Sequence, residues 1–506
     1  MIKLKLKLFK KMNLFELMNT RINENIKYYG DDMERLRKEY IVMLFLMPLI
    51  SSISIILYLK ISPYFLLLNI MNVFIYFFPI LITQIRKDEQ RKLIENEMPV
   101  FLLFAYVNSL LGRNLYKTFE EIRNSKVFKG LRREAMLLVK EVEVLGKSSF
   151  SAMESRAKAH RGDFLGKIYT VYTSGESIGI SMPERLKDLL NETIDGLNSN
   201  FQGYVEKVNE LVEILFMLFL ITPMILLAFQ YISSSINIFE LIFPLLLFPI
   251  IFFYISLIQP NIGYDIKIDI KEVKNSLYIL PIPFILVFLF HLSLEYEILV
   301  FYSIFIMFSF FIYRKISVAD AILNNLPYIL SDIADYLKIG YSIKSAILKL
   351  NVDNTHFRMF LGELAAKIRK NEAISNVRTN IWIVNAILEL IENIDKKGFA
   401  DTYTFKDLSL ILYNYTSLRK KVLQNLRLFS ILATITPIVF YFALGIMSKI
   451  RAVGNLDLII VLYTMALSII YAKVSRFTVF NFPLLVLALM NLIIVLLFGN
   501  VILTFI

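Results

Sequence analysis

The chain has 506 residues, of which 57% are hydrophobic and 19% charged. An ordinary soluble domain carries about a quarter charged and roughly 45–50% apolar residues, so this excess marks a membrane protein and excludes a secreted soluble enzyme or a disordered scaffold. There is no cysteine, which removes disulfides, thiolate metal sites and cysteine nucleophiles. The net charge of +12 has the sign of a positive-inside bias, or of attraction to anionic head groups or an acidic partner.

Residues 1–40 are polar and basic, opening with Lys3, Lys5, Lys7, Lys10 and Lys11, and read as a cytoplasmic segment. Leu14, Phe15, Leu17 and Met18 fall on one side of a helix suited to the lipid surface. The first apolar run begins near Ile41 and is long enough to act as an uncleaved anchor. A crossing helix needs about 20 mainly apolar residues. Nine stretches are read as spans: 41–59, 62–83, 211–232, 238–258, 277–293, 296–313, 428–447, 458–472 and 479–502. The expected order is a transmembrane pair at 41–83, a polar domain at 84–210, a pair at 211–258 and a cytoplasmic link at 259–276. A third pair at 277–313, a second polar domain at 314–427 and three spans in 428–506 follow.

Lys and Arg near the span ends set the orientation. Arg86 and Lys87, Arg314 and Lys315, Arg419 to Lys421 with Arg427, and Lys473 with Arg476 all belong inside, while Lys449 and Arg451 weigh against that arrangement. The expectation is a multi-pass protein of the cell membrane, with its N-terminus and both polar domains cytoplasmic and its C-terminus outside. Apolar residues in 94–122, 357–369 and 404–427 recur at three- and four-residue steps. Gly130, Gly146, Gly162 and Gly166 punctuate the first polar domain. The fold class is therefore all-α, with each polar domain a bundle of about five or six helices.

The two polar domains begin alike. Ile94-Glu-Asn-Glu-Met-Pro99 is followed by Gly112, and Ile322-Leu-Asn-Asn-Leu-Pro327 by Gly340, at a common offset of 228 residues (340 − 112). Their exits match through Ile221-Thr222-Pro223 and Ile435-Thr436-Pro437, at an offset of 214 (437 − 223), so the second copy is shorter by about fourteen residues. A unit of two spans, a bundle and two more spans is thus written twice, with a ninth span at the end.

Catalytic motifs are sparse. Gly146-Lys147-Ser148 ends like a phosphate-binding loop but has Glu141 where the leading glycine belongs. Gly175-Glu176-Ser177-Ile178-Gly179 fits a nucleophile-elbow pattern in a helical context, without the strand that motif needs. The three histidines, His160, His291 and His356, form no metal-ligand spacing, and Asp265 and Asp269 are interleaved with lysines. A transporter or channel with regulatory cytoplasmic domains is the alternative reading, but the central thirds of the spans lack the ionisable groups such a path uses. Basic clusters stand out instead: Lys126, Lys129, Arg132 and Arg133 in the first polar domain, and Lys367, Arg369, Lys370, Lys396 and Lys397 in the second. Each is a solvated helical face, a lipid-facing collar or a docking surface for an acidic partner.

This array resembles the type II secretion F family, the inner-membrane platform proteins of secretion, type IV pilus and archaellum machines. The matching points are Met98-Pro99 and Leu326-Pro327, Gly112 and Gly340, Gly175-Glu176 with Gly179, and the prolines Pro223 and Pro437. The span pairs before each bundle are similar to the archaeal platforms. The second domain departs from the pattern, with Lys396-Lys397-Gly398 where the Gly-Glu-x-x-Gly turn belongs. The resemblance implies a non-enzymatic homodimer in the lipid bilayer, with no cofactor and no nucleic-acid partner. It also implies that the platform couples a hexameric cytoplasmic secretion ATPase to the extraction and insertion of pilin subunits; the basic clusters, above all that of the second polar domain, are the expected ATPase contact.

Overall fold

The computed structural model describes residues 14–30, 33–45, 70–179, 181–222, 243–260, 293–351, 354–398, 402–450 and 456–504, with a few isolated positions between them. All but the last residue of the expected span 277–293 lies outside the described residues, as do parts of 41–59, 62–83, 211–232 and 238–258, most of the 259–276 link, and Pro223. Among the described residues the regular structure is helical and contains no strand. The chain divides into two compact units, Met1–Thr193 and Ile194–Ile506.

The first unit contains α1 (Leu14–Tyr29), α2 (Met33–Leu44), α3 (Ile70–Leu110), α4 (Leu115–Arg123), α5 (Gly130–Glu143), α6 (Ser149–Ala159) and α7 (Phe164–Ile178). Helix α8 (Met182–Phe216) begins in it and holds the boundary between the units. Rather than breaking near residue 83, α3 runs unbroken from apolar into polar sequence. The physical reason is that polarity changes there while helix propensity does not. Gln84 to Glu97 has neither Gly nor Pro, and Arg91 pairs with Glu95 one turn on, at 2.7 Å. Pro99 thus lies inside this helix. In the core Phe101 packs tilted against Phe119, with ring centroids 4.8 Å apart, and Phe119 stacks on Tyr169 at 5.5 Å. The N-terminal segment joins this core. Helix α1 packs against α3 and α6, with Ile22, Tyr28 and Tyr29 buried.

The second unit contains α9 (Phe248–Ile258), α10 (Leu294–Lys338), α11 (Ile343–Lys349), α12 (Thr355–Arg369), α13 (Trp382–Lys396), α14 (Thr402–Asn425), α15 (Arg427–Ile450), α16 (Leu456–Arg476) and α17 (Phe482–Thr504). Helix α10 also crosses the expected boundary, at 313/314, without a break and carries Pro327 inside it. Three helices among the described residues are long and apolar enough to cross a bilayer: Leu294–Lys338, Thr402–Val439 (through the turn at Leu426) and Asp457–Arg476; Pro244–Ile258 and Phe482–Phe498 are shorter apolar helices. The Asp457–Arg476 window is 72% buried while that of Leu294–Lys338 is 22% buried, so α16 forms the centre of the apolar bundle and α10 its rim. Their packing includes a 2.7 Å hydroxyl hydrogen bond between Tyr302 and Ser468. At its C-terminal end α8 widens into a π turn at Met217–Ile221, where both the backbone N–H and the hydroxyl of Thr222 donate to Met217 O.

The ends of α3 and α10 share one geometry. Gly112 has φ +68° and Gly340 φ +94°. Arg113 N–H donates to Asn108 O at 3.0 Å, and Tyr341 N–H to Tyr336 O at 3.1 Å. Gly112 N–H donates to Ser109 O at 3.0 Å and Gly340 N–H to Leu337 O at 2.9 Å. This is the Schellman pairing, which needs a residue free to adopt left-handed φ. Next, the Asn114 side chain caps α4 by accepting from Lys117 N–H, and that of Ser342 caps α11 by accepting from Ser345 N–H. Each of these positions keeps the 228-residue offset (341 − 113, 342 − 114).

Past that point the two segments diverge. The first continues through α5, α6 and α7, the second through α12, a three-residue 3₁₀ turn at Ile374–Asn376, and α13. The eleven-residue α6 thus has a three-residue turn in its place. This accounts for most of the length that the second segment lacks.

Candidate partner-docking surfaces

Lys126, Lys129, Arg132 and Arg133 gather where α5 begins. Lys129 is the N-cap position and the two arginines lie in the first turn. Three of the four side chains are exposed, whereas Arg133 is half-buried with its guanidinium 5.4 Å from the Tyr29 ring centroid. Cations at a helix N-terminus oppose the macrodipole. The orphan N–H groups are satisfied from another helix: the Glu97 carboxylate of α3 accepts from Lys129 N–H at 2.6 Å, Gly130 N–H at 3.1 Å and Leu131 N–H at 2.8 Å. Burial raises the Glu97 carboxyl above its ordinary range, against the lowering by these three donors.

The second cluster has the opposite relation to its helices. Lys367 and Arg369 lie in the last turn of α12, with Lys370 as its C-cap. Lys396 closes α13 and Lys397 is its C-cap. Cations there are favoured by the carbonyl ends. Two are also paired with carboxylates, Lys367 with Glu372 and Lys396 with Glu392 at 2.6 Å. The Glu392 side chain is buried and also accepts from Ser375 N–H at 2.8 Å, clipping the 3₁₀ turn to α13. Arg369 and Lys370 are exposed. Helix-end stabilisation therefore explains much of the second cluster and none of the first.

The motif residues fall at structural positions. Gly175 is buried inside α7, and a Cβ there would meet Met182 Cε at 2.5 Å. Glu176 is exposed, and Gly179 ends α7 in the left-handed region at φ +77°. Gly398 follows α13 at φ +68°. Pro437 lies inside α15 beside Thr436, whose hydroxyl donates to Leu432 O at 2.8 Å. Gly146 and Gly162 have positive φ between helices, whereas Gly130 and Gly166 lie within the first turns of α5 and α7. Lys147, after Gly146, is held by Glu141 at 2.6 Å.

Sequence reasoning missed two polar clusters. In the first unit, Arg156 of α6 donates through Nε to Glu134 Oε1 at 2.8 Å and through a second nitrogen to Oε2. It also donates to Lys27 O at 2.8 Å and Tyr28 O at 2.9 Å, at the C-terminal end of α1. His160 stands between Glu134 and Asp163, and Tyr28 and Tyr169 donate to those same carboxylates. Burial alone would raise the Glu134 carboxyl, but Arg156 and His160 hold it well below the usual carboxylate range. In the second unit, Asp320 of α10 accepts from Arg419 of α14 at 2.6 Å and faces Arg476 of α16 at 3.9 Å. Arg156, His160 and Asp163 are locally spaced, but Glu134, Tyr28 and Tyr169, like Arg419 and Arg476 toward Asp320, come from other helices and leave no local signal.

Comparisons with protein-family models, curated protein sequences and solved structures return no match.

Proposed function

We propose that this chain is the membrane platform of an archaeal type IV pilus-like assembly machine, non-enzymatic itself, coupling a cytoplasmic hexameric secretion ATPase to pilin extraction and insertion. The observation that carries this reading is the repeated opening of the two polar bundles. A proline-bearing helix rises from apolar sequence, ends in a glycine Schellman turn and hands over to a short, side-chain-capped helix, twice, 228 residues apart (340 − 112). Duplicated helical bundles on apolar helices are what the resemblance to the type II secretion F family implies. The apolar helices among the described residues support placement in a membrane. Nine spans, a homodimer, a cytoplasmic N-terminus and an outside C-terminus belong to the same proposal.

Both basic clusters are the proposed ATPase contact. The first, Lys126, Lys129 and Arg132, has the stronger physical case, because it sits where helix electrostatics disfavour it. The test is charge reversal in the native host. Lys126→Glu with Lys129→Glu and Arg132→Glu is one variant, and Arg369→Glu with Lys370→Glu, Lys396→Glu and Lys397→Glu the other. Filaments are counted by electron microscopy and the platform in membranes by immunoblot. Loss of filaments with the platform retained is the expected outcome. Normal filaments in both variants would remove the docking assignment, and normal filaments in a full deletion of the chain would remove the platform reading.

A further inference from the structure

Beneath α1 lies a closed, water-excluded cluster contributed by α1, α5, α6, the turn after α6, and α7. His160 is 1% exposed and Glu134 is fully buried. His160 Nδ1 is 2.8 Å from Asp163 Oδ2 and Nε2 is 3.0 Å from Glu134 Oε2. Ionised carboxylates only accept hydrogen bonds, and a neutral imidazole has one N–H. A neutral ring would therefore set a lone pair against one of the two carboxylates. Arg156 Nη2 also lies 3.2 Å from Nε2, but its two protons go to Tyr28 O and Glu134 Oε2, so none is left for a ring lone pair; only the doubly protonated ring satisfies both carboxylate contacts. It also balances the charge, with Glu134 and Asp163 against Arg156 and the imidazolium.

The cluster ends on α1. Tyr28 O–H donates to Asp163 Oδ2 at 2.6 Å, the same oxygen that His160 Nδ1 reaches. The Tyr28 ring lies 4.2 Å from the imidazole, centroid to centroid. Arg156, bound to Glu134, holds the two terminal carbonyls of α1. The second bundle has a 3₁₀ turn where α6 would be, so this arrangement belongs to the first bundle, where α1 docks.

We propose that the N-terminal helix α1 is latched to the first bundle by the doubly protonated ring of His160, and is released when that ring loses its proton. The latch is independent of the platform reading.

The charged and titratable groups facing the ring agree in direction. Burial opposes the imidazolium, as does Arg156 on α6, while Glu134 on α5 and Asp163 in the turn outweigh them and hold the ring above its ordinary value. Tyr28 on α1 and Tyr169 on α7 are pushed up, first by burial, and remain donors. Lys87 of α3 stands over the Tyr28 ring at 5.4 Å, Arg91 acts on Tyr28 and Asp163, and Glu141 acts on Arg156. A histidine raised on folding contributes stability that is fully present below its unfolded value of about 6.5 and is lost as pH rises through the folded value. The latch is therefore closed below about pH 6.5 and opens as pH rises above that through the folded value.

The test is hydrogen exchange of the full-length protein in lipid nanodiscs across pH 6 to 10, after correction for the chemical exchange rate. Between about pH 6.5 and the folded value, amides of the last turn of α1 should lose protection by up to about tenfold per pH unit and then level off, while the middle of α7 keeps its own. In His160→Gln, which cannot titrate, this dependence should vanish. A wild type without the step, or a step that survives in His160→Gln, overturns the proposal. Should that variant not fold, two readouts remain decisive. ¹³Cε1 NMR of labelled histidines must show His160 titrating above the ordinary value of about 6.5, and a ring titrating at or below it overturns the latch. Tyr28→Phe, which cuts the hydroxyl link, must loosen α1 at every pH while His160 still titrates. Unchanged α1 protection in that variant also overturns it.

Discussion

Gly112 and Gly340 end their helices with the same pair of backbone hydrogen bonds and the same left-handed φ, 228 residues apart (340 − 112). A Cβ added to either meets nothing within 4 Å. The cost of a side chain is therefore conformational, about 1–2 kcal/mol for an L-residue in this region, and less for asparagine. Thermal unfolding in detergent should place Gly112→Ala and Gly340→Ala below wild type by similar amounts, with each Asn variant between. An alanine variant as stable as its asparagine counterpart would contradict this account.

The Asp320–Arg419 pair joins α10 to α14 with both side chains mostly buried. Removing one partner of a buried pair leaves a charge without its counter-ion, at a cost of about 3–5 kcal/mol, whereas replacing both with apolar groups is close to neutral. Asp320→Asn should unfold well below wild type, and Asp320→Leu with Arg419→Met should recover most of the loss. A double variant as unstable as the single one would show that the pair is not the energetic unit.

Glu97 satisfies the first N–H groups of α5 from a distant point in the chain. Glu97→Ala orphans these buried donors at a cost of about 1–3 kcal/mol. Exchange at Lys129, Gly130 and Leu131 should accelerate first. Acceleration spread evenly over α5 instead would show that the carboxylate supports the whole helix rather than its cap.

Lys396 and Glu392 differ in weight although they are paired. The Lys396 side chain is 68% exposed, so Lys396→Gln should change stability by less than about 1 kcal/mol. Glu392→Ala loses the buried acceptor for Ser375 N–H as well. It should destabilise the second bundle more than the lysine change does, as read by chemical denaturation. Equal effects would mean that the turn at Ile374–Asn376 is held by packing alone.

The sequence by itself determined the helical class, the apolar and polar territories, and the matching glycines. Each of these is written in local periodicity and composition. The changes in polarity near 83/84 and 313/314 do not mark helix ends, because helix propensity is continuous across them. Pro99 and Pro327 lie inside those continuous helices. The basic clusters were legible as charge, but not their relation to helix ends, which reverses their meaning between the two bundles. Only the tertiary structure decided that Glu97 caps α5, that Asp320 meets Arg419, and that His160 is enclosed by Glu134 and Asp163 under Tyr28. Those partners lie 33, 99, 26 and 135 residues apart for Glu97–Gly130, Asp320–Arg419, Glu134–His160 and Tyr28–Asp163, the first two joining separate helices and the last two joining a helix to the turn between α6 and α7. Packing sets how such side chains meet, and no local pattern encodes it.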